Sequence, residues 1–300
     1  MTERTAKGIV LAGGNGSRLR PLTLAVSKQL LPVFDKPMVF YPISVLMLAG
    51  IRNLLIISQS YNLSHYQALL GDGSDLGVQF TYAAQDEPRG LADAFLVASD
   101  FIGNEPVALV LGDNVLYGQG LTRLLADAAR RAQGATVFAY RVPDPQQFGV
   151  VELDDRGGPL RIDEKPSKPR SDLALIGLYF YDNQVVSLAA GLKRSARGEL
   201  EITDLNQLYL ESRRLHVTVL GRGIAWLDTG TFGALLDASN FIATLERRQN
   251  LKVACLEEIA WRNKWISDSE LERCALRWGN DEYARYLLRA RCNSTAKRMP

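Results

Sequence analysis

Over the first 140 residues two hydrophobic periods alternate, and few folds accommodate that pattern. Apolar runs at 8–11, 54–57, 78–82, 107–111 and 136–139 are short and continuous. Between most of them lie segments of helical length and pattern, at 38–49, 63–70, 91–101 and 121–132. A strand that is apolar at successive positions is covered on both faces. Strands separated by helices build βαβ units, and such units impose a mainly parallel sheet with helices against it.

From residue 149 the pattern changes. Runs at 149–153, 160–163 and 173–181 read as strands without long helices between them, and 166–171 reads as a loop. Helices resume at 183–192 and 202–212, strands at 216–220 and 224–227, and beyond Thr231 the chain reads as helical to about Ala290. The predicted class is α/β, a Rossmann-like mixed, mainly parallel sheet flanked by helices. A smaller inserted sheet region and a helical C-terminal segment complete it. We expect an α/β unit over 1–240, divided near residue 140, and a helical segment over 241–300.

Composition narrows the chemistry. Lys plus Arg number 35 and Asp plus Glu 33, a net charge of +2, which argues against a surface that grips nucleic acid throughout. Only two histidines, His65 and His216, argue against a multi-histidine metal site and leave most of any chemistry to carboxylates, Arg, Lys and backbone amides. Cys255, Cys274 and Cys292 form no CxxC pair and fit a reducing compartment. The polar start lacks a signal-peptide core, and no apolar run is long enough to span a bilayer. We therefore expect a cytoplasmic protein that uses neither membrane nor nucleic acid. The basic tail from Arg285 reads as a solvated end.

The strongest local signal follows the first apolar run: Leu11-Ala12-Gly13-Gly14-Asn15-Gly16-Ser17-Arg18. Glycines permit positive φ and let backbone N–H groups approach an anion, and Arg18 adds a fixed cation with a forked donor set. Lys-Ser/Thr is missing at Walker A spacing, and Leu19 stands where a dinucleotide fingerprint needs its third glycine. The second strand ends in Ser58-Gln59 without the acid that would bind a ribose, so a dehydrogenase is disfavoured. The loop is a phosphate cradle or a tight strand-to-loop turn. Asp113 and Asp228 each end an apolar run, where ligands bind in open α/β sheets, but a turn or capping role is also open.

The same loop, extended through Leu19 and Pro21, resembles the signature of the sugar-1-phosphate nucleotidyltransferases. Ser27-Lys28-Gln29-Leu30-Leu31-Pro32 resembles the glucose-1-phosphate thymidylyltransferase branch. Further blocks follow in order: Gln85 with Gly90-Leu91-Ala92, Leu111-Gly112-Asp113-Asn114, Phe148-Gly149-Val150-Val151-Glu152 and Glu164-Lys165-Pro166. Gly177-Leu178-Tyr179-Phe180-Tyr181, Arg197-Gly198-Glu199-Leu200-Glu201-Ile202-Thr203-Asp204 and Trp226-Leu227-Asp228-Thr229-Gly230 complete the series.

The resemblance implies Mg²⁺-dependent transfer of a thymidylyl group from dTTP to glucose 1-phosphate, giving dTDP-glucose and pyrophosphate. It places this as a first step toward dTDP-deoxysugars such as rhamnose. It implies a catalytic set of Arg18, Lys28, Lys165 and Asp113, with Asp113 and Asp228 as metal ligands. Leu11, Gly13, Gly14, Gly16, Ser17, Gln29, Gln85 and Gly90 would join Arg18, Lys28 and Asp113 at the nucleotide. Gln85 would meet the O4/N3–H edge of thymine. Asn114, Gly149, Glu164, Lys165, Leu175, Tyr179 and Arg197 would meet the sugar phosphate. Residues 1–140 would then bind nucleotide and 141–240 sugar phosphate. Residues 241–300 would serve assembly and regulation, within a homotetramer inhibited by a dTDP-sugar.

Read without the resemblance, Glu164-Lys165 is an exposed ion pair, Gln85 a solvated loop residue and Tyr179 or Tyr181 a half-buried strand residue. Arg197 either reaches a phosphate or caps a loop. The C-terminal aromatics Trp261, Trp265, Trp278, Tyr283 and Tyr286 are core or interface. A different sugar 1-phosphate, UTP, or a sensor that binds without turnover are the competing readings. This chain departs from the branch pattern at Arg20, Phe148, Asp163 and Ile176. Phe148 and Ile176 are expected beside the sugar, where loss of polar groups relaxes discrimination.

Overall fold

The computed structural model of the protein describes residues 6–131, 133–279 and 281–296. β1 (Lys7–Leu11) runs into the glycine loop, and a short hairpin of β2 (Pro32–Val33) and β3 (Lys36–Pro37) leads to α1 (Phe40–Leu48). Next come β4 (Asn53–Ser58), α2 (Ser60–Leu70), β5 (Gln79–Ala84), α3 (Asp93–Val97) and α4 (Ser99–Ile102). β6 (Val107–Leu111), β7 (Asn114–Gly118), α5 (Leu121–Ala129) and β8 (Ala135–Arg141) follow. The second part holds β9 (Gly149–Leu153), β10 (Pro159–Glu164), β11 (Leu173–Tyr181), α6 (Val185–Ala190), α7 (Ile202–Glu211), β12 (Leu215–Val219) and β13 (Ile224–Asp228). The chain closes with α8 (Phe232–Gln249), α9 (Leu256–Arg262), α10 (Asp268–Arg277) and α11 (Glu282–Ala296).

The central sheet has nine strands. β1 lies parallel between β4 and β6, with Val10 opposite Ile56 on one side and Val110 on the other. β5 extends the sheet beyond β4 in parallel. β11 runs antiparallel between β6 and β8, and β12 adds a parallel edge to β8. β11 changes register between Leu175 and Tyr179. Its first half meets β9 at Ala174, so the antiparallel β9–β10 hairpin branches from the sheet there. A separate antiparallel ribbon pairs β7 with β13 and sets Asp228 opposite Asn114.

The pleat divides the core. Val10, Ile56, Val110 and Phe138 face one layer, packed with helices that include α1 and α9. Ile9, Ile57, Leu109 and Val137 face the other, with Phe95 of α3 and Leu205 and Tyr209 of α7. Each such side chain removed from water stabilises the fold by roughly 1.5–3 kcal/mol. α8 runs without a break across residues 240 and 241. Beyond it, Leu256, Ala260, Leu271, Ala275 and Leu287 enter the first layer beside Val10 and Ile43.

The C-terminal aromatics divide accordingly. Tyr286 is buried, Trp261, Trp265 and Tyr283 pack against the same layer, and Trp278 is exposed. Ser267 caps α10 through a box in which its hydroxyl accepts from the Glu270 amide and Glu270 accepts from the Ser267 amide. Cys255 and Cys274 are buried thiols, and burial pushes both pKa values up, that of Cys274 to about 11.

One expectation needs revision, and one strand was not foreseen. The helix predicted over 91–101 is two short helices that meet at Ala98, where φ −91° and ψ 8° break the α ladder. β7 lies where no element was expected: Asn114–Gly118 forms a strand because it finds its partner more than a hundred residues away in β13. Ala132, the last residue of one predicted helix, and Lys297 and Arg298 of the basic tail lie outside the described residues. Among the described residues no helix is long and apolar enough to cross a membrane.

Candidate active site

The carboxyl ends of β1 and β6 open onto a cleft of about 440 Å³, walled by the β9–β10 hairpin, β11, α7 and β13. Arg18, Asp113, Asn114, Gly149, Glu164, Lys165, Leu175, Tyr179, Arg197 and Asp228 all line it. The structure thus brings the expected sugar-side residues and both acids to one place.

The glycine loop is held from behind. Ser58 Oγ donates to the Ala12 carbonyl at 2.8 Å and Gln29 Nε2 to the Gly13 carbonyl at 3.1 Å. Among the described residues no protein acceptor meets the amides of Gly13, Gly14, Asn15 and Gly16. Gly14 and Gly16 have φ of +97° and +54°, and a Cβ on Gly16 would come within 2.8 Å of Thr23. Ser17 and Arg18 continue the exposed turn, and Leu11 is buried below it. Gln29 is itself buried, with Oε1 accepting from Ser27, so its amide serves the loop.

Lys28 is buried and donates to Asp113 Oδ2 at 2.5 Å. Asn114 Nδ2 donates to Asp113 Oδ1 at 3.0 Å, and Thr229 Oγ1 to the Asp113 carbonyl at 2.8 Å. Burial, then the nearby Asp113 charge, raises the Asp228 pKa above its ordinary 3.8, with Lys28 and Arg18 opposing the shift. The Arg18 guanidinium lies against Gly230, where a Cβ would approach Nη2 to 2.9 Å. Among the described residues no group of three or more His, Cys, Asp or Glu is poised to hold a metal.

The other wall is already paired. Thr203 Oγ1 donates to Glu164 Oε2 at 2.6 Å. Arg197 donates to both oxygens of Glu201 at 2.9 Å and to Glu164 at 3.4 Å. The Glu201 hydrogen bond raises the Arg197 pKa further. Ser195 Oγ also donates to Glu201, at 2.7 Å. Gly149 keeps this wall close, since a Cβ there would lie 3.3 Å from Thr203 Oγ1.

Lys165 pairs loosely with Glu164 at 3.5 Å. The following Pro166 favours extended backbone at Lys165, but the structure departs from that. Lys165 has φ of +42°, in the left-handed region, and its N–H closes the hairpin on the Phe148 carbonyl at 3.0 Å. Tyr179 is buried at the cleft, and burial followed by Glu164 raises its pKa. Tyr181, two residues on, is core: it donates to Asn206 Oδ1 at 2.6 Å and packs edge-on to Phe95.

Away from this cleft, Gln85 is half-buried and donates through Nε2 to Asp93 at 2.8 Å. Gly90 has φ of +102°, and a Cβ there would collide with the Leu200 carbonyl at 2.3 Å. Phe148 does line the cleft. Ile176 does not: alternation along β11 turns it into the opposite core layer, fully buried. Arg20 is exposed, and Asp163 is held by Arg161 at 2.7 Å.

Sequence reasoning missed Leu91, Glu201, Thr203, Asn206 and Trp226, all of which line the cleft. Trp226 Nε1 donates to Asn114 Oδ1 at 2.6 Å and packs edge-on to Phe148 with centroids 5.3 Å apart. Asn206 is fully buried with its Nδ2 unpartnered. A signal existed for most of these. Glu201, Thr203 and Trp226 lie inside matched blocks, and Asn206 is a polar residue on the apolar stripe of Ile202, Leu205 and Tyr209.

A second cavity, of about 540 Å³, is lined by Leu116, Tyr117 and Gly118 of β7 together with Lys252, Arg262 and Arg289.

The model of the nucleotidyl transferase family matches residues 7–244. The chain is 56% identical over 283 residues to a glucose-1-phosphate thymidylyltransferase of Neisseria meningitidis, covering 94% of this chain and 98% of the relative. It is 55% identical over 287 residues to the enzyme so named in Xanthomonas campestris, covering 96% and 97%. A crystal structure of a putative glucose-1-phosphate thymidylyltransferase from Bacillus anthracis in complex with a sucrose superposes with a TM-score of 0.73 at 38% identity, covering 79% of this chain and 94% of that one. A UDP-glucose pyrophosphorylase complexed with UDP-glucose has a TM-score of 0.71 at 24% identity, which shows the shared fold. The chain belongs to the nucleotidyl transferase family. It is accordingly an enzyme of the transferase class.

Proposed function

We propose that the protein transfers a thymidylyl group from dTTP to glucose 1-phosphate, giving dTDP-glucose and pyrophosphate. The observation that carries this is the cleft, whose wall brings together Arg18, Asp113, Asp228, Lys165 and Arg197, beside a glycine loop whose amides meet no protein acceptor among the described residues. The similarity to relatives of that name supports the choice of nucleotide and sugar.

An oxygen of the sugar phosphate attacks the α-phosphorus in line, and pyrophosphate leaves. The nucleophile is already an anion, so no side chain need remove a proton, and two histidines suffice for the whole chain. The work is positioning and charge neutralisation. Lys165 and Arg197 hold the attacking phosphate, and Glu164, oriented by Thr203, accepts from sugar hydroxyls. The loop amides and Arg18 hold the β- and γ-phosphates and stabilise the leaving group. Lys28 holds the Asp113 carboxylate in place.

The two acids fit Mg²⁺: both are hard oxygen donors, and burial, then the Asp113 charge, raises the Asp228 pKa, a destabilised charge that a cation would neutralise. Mg²⁺ held by Asp113 and Asp228 would supply neutralisation of the phosphate charge.

The second cavity, where Arg289 lies beside the ion-paired Lys252 and Arg262, is the candidate place for a dTDP-sugar as feedback inhibitor. We also expect a homotetramer, a cytoplasmic location and a place ahead of dTDP-deoxysugars such as rhamnose. The deciding assay is pyrophosphate release from dTTP, glucose 1-phosphate and Mg²⁺. We expect turnover that stops when Mg²⁺ is chelated. Binding of both substrates without turnover would make the protein a sensor. Faster turnover with UTP or another sugar 1-phosphate would replace the proposed substrates.

A further inference from the structure

We propose that Asp93 is a positioning residue for nucleobase selection, acting by locking the Gln85 carboxamide in one of its two orientations. The inference rests on the reading of Gln85 as the group that meets the base. Asp93 opens α3, is only 4% exposed and has no cationic partner among the described residues. Its Oδ2 accepts from Gln85 Nε2 at 2.8 Å. The Gln85 backbone is pinned as well, its N–H donating to the Ser58 carbonyl at 2.8 Å just beyond β5.

An ionised carboxylate accepts and cannot donate. Turning the Gln85 amide over would set Oε1 against Oδ2, two acceptors at hydrogen-bond distance at a buried carboxylate where water screens little. Amide orientations are often equivocal, but a carboxylate partner settles this one by chemistry.

The lock leaves Gln85 with Oε1 and one N–H on its free edge, in a fixed order. Thymine and uracil offer an O4 acceptor beside an N3–H donor. Cytosine offers an N4–H donor beside an N3 acceptor, the reverse order. A fixed edge matches the first and opposes like groups in the second, which discriminates more strongly than an apolar contact. Asparagine at position 93 carries both a donor and an acceptor, so it tolerates either orientation of Gln85 and the lock is lost.

The test is kcat/KM for dTTP, dUTP and dCTP, with glucose 1-phosphate as co-substrate, in wild type, Asp93→Asn, Asp93→Glu and Gln85→Ala. Each ratio is taken on the same enzyme molecules, so any unfolded fraction cancels. We expect Asp93→Asn to narrow the dTTP:dCTP preference about tenfold or more, the scale of one hydrogen bond gained or lost at a buried group. The dTTP:dUTP ratio and the KM for glucose 1-phosphate should stay at wild-type values, and Asp93→Glu, which keeps an acceptor-only group, should retain most of the preference. A uniform loss with all three nucleotides, the ratios intact, would reduce Asp93 to a structural role and overturn the proposal. If Gln85→Ala narrows the dTTP:dCTP preference while Asp93→Asn does not, Gln85 reads the base without the lock. If Gln85→Ala leaves the preference untouched, the reading of Gln85 itself is wrong, and the role of Asp93 goes with it.

Discussion

The two ends of the site, the glycine loop beside the cleft and the hairpin within it, solve opposite problems. At the loop end, Gly13 to Gly16 present amides with no protein acceptor among the described residues, and Arg18 has no ion-pair partner there. At the hairpin end, Glu164, Arg197, Glu201, Thr203 and Ser195 are already joined in one hydrogen-bonded network. The loop end has its backbone fastened through the Ala12 and Gly13 carbonyls, and an anion bound by its amides breaks no protein hydrogen bond among the described residues. The hairpin end is preassembled, so a ligand must exchange internal partners for its own. The first arrangement favours charge of any phosphate. The second discriminates by geometry.

The acids between the ends should show the largest effect. Asp113 is fixed by Lys28 and Asn114. Asp113→Asn keeps the shape and removes the charge, and we expect kcat to fall by about a thousandfold, the upper range for losing one electrostatic group at a reacting centre. Near-normal kcat at saturating Mg²⁺ would remove Asp113 from the catalytic set. Next is the loop end. Arg18→Ala should cost about a hundredfold in kcat/KM for dTTP and leave the KM for glucose 1-phosphate nearly unchanged. An equal rise in both KM values would break the division between the ends.

That division was unevenly legible in the sequence. The loop end is local: strand, glycines and arginine are consecutive, so the pattern of Leu11 to Arg18 carries its own geometry. Strand periodicity likewise located β1, β4, β6 and β11, because burial on both faces writes itself into every residue. The hairpin end is assembled from β9, β10, β11, α7 and β13, and no spacing rule states that Thr203 will meet Glu164 or that Trp226 will meet Asn114. β7 escaped for the same reason, since its only partner is β13. Ile176 shows the converse error. Its neighbour in sequence, Leu175, lines the cleft, and the pleat sends Ile176 the other way.

The hairpin end should respond more gently. Thr203→Val keeps volume and deletes the hydroxyl that holds Glu164 Oε2. We expect about a tenfold loss in kcat/KM for glucose 1-phosphate, the scale of one hydrogen bond to a charged group, with the KM for dTTP little changed. Selectivity over epimeric sugar 1-phosphates should fall with it. Unaltered selectivity would mean that the network merely fills space and that the contrast between the ends is one of packing.

The smallest effect concerns stability, and it tests whether the centre is strained for function. Asp228 has a folded-state pKa raised above 3.8 by burial and by Asp113. The folded state then binds its proton more tightly than the unfolded chain does. Stability is therefore lost as pH rises from 3.8 through the raised value, and the penalty persists at neutral pH. Asp228→Asn removes that penalty. In metal-free buffer containing a chelator, its Tm should exceed that of wild type at pH 7, and the gap should close as the pH is lowered toward 3.8, where the native carboxyl is itself protonated. Adding Mg²⁺ should raise the Tm of the wild type and much less that of the variant, because a ligand stabilises only the state that binds it. A variant less stable than wild type at pH 7 would show that Lys28 and Arg18 already neutralise the pair, leaving the centre without unmet charge for a cation to balance.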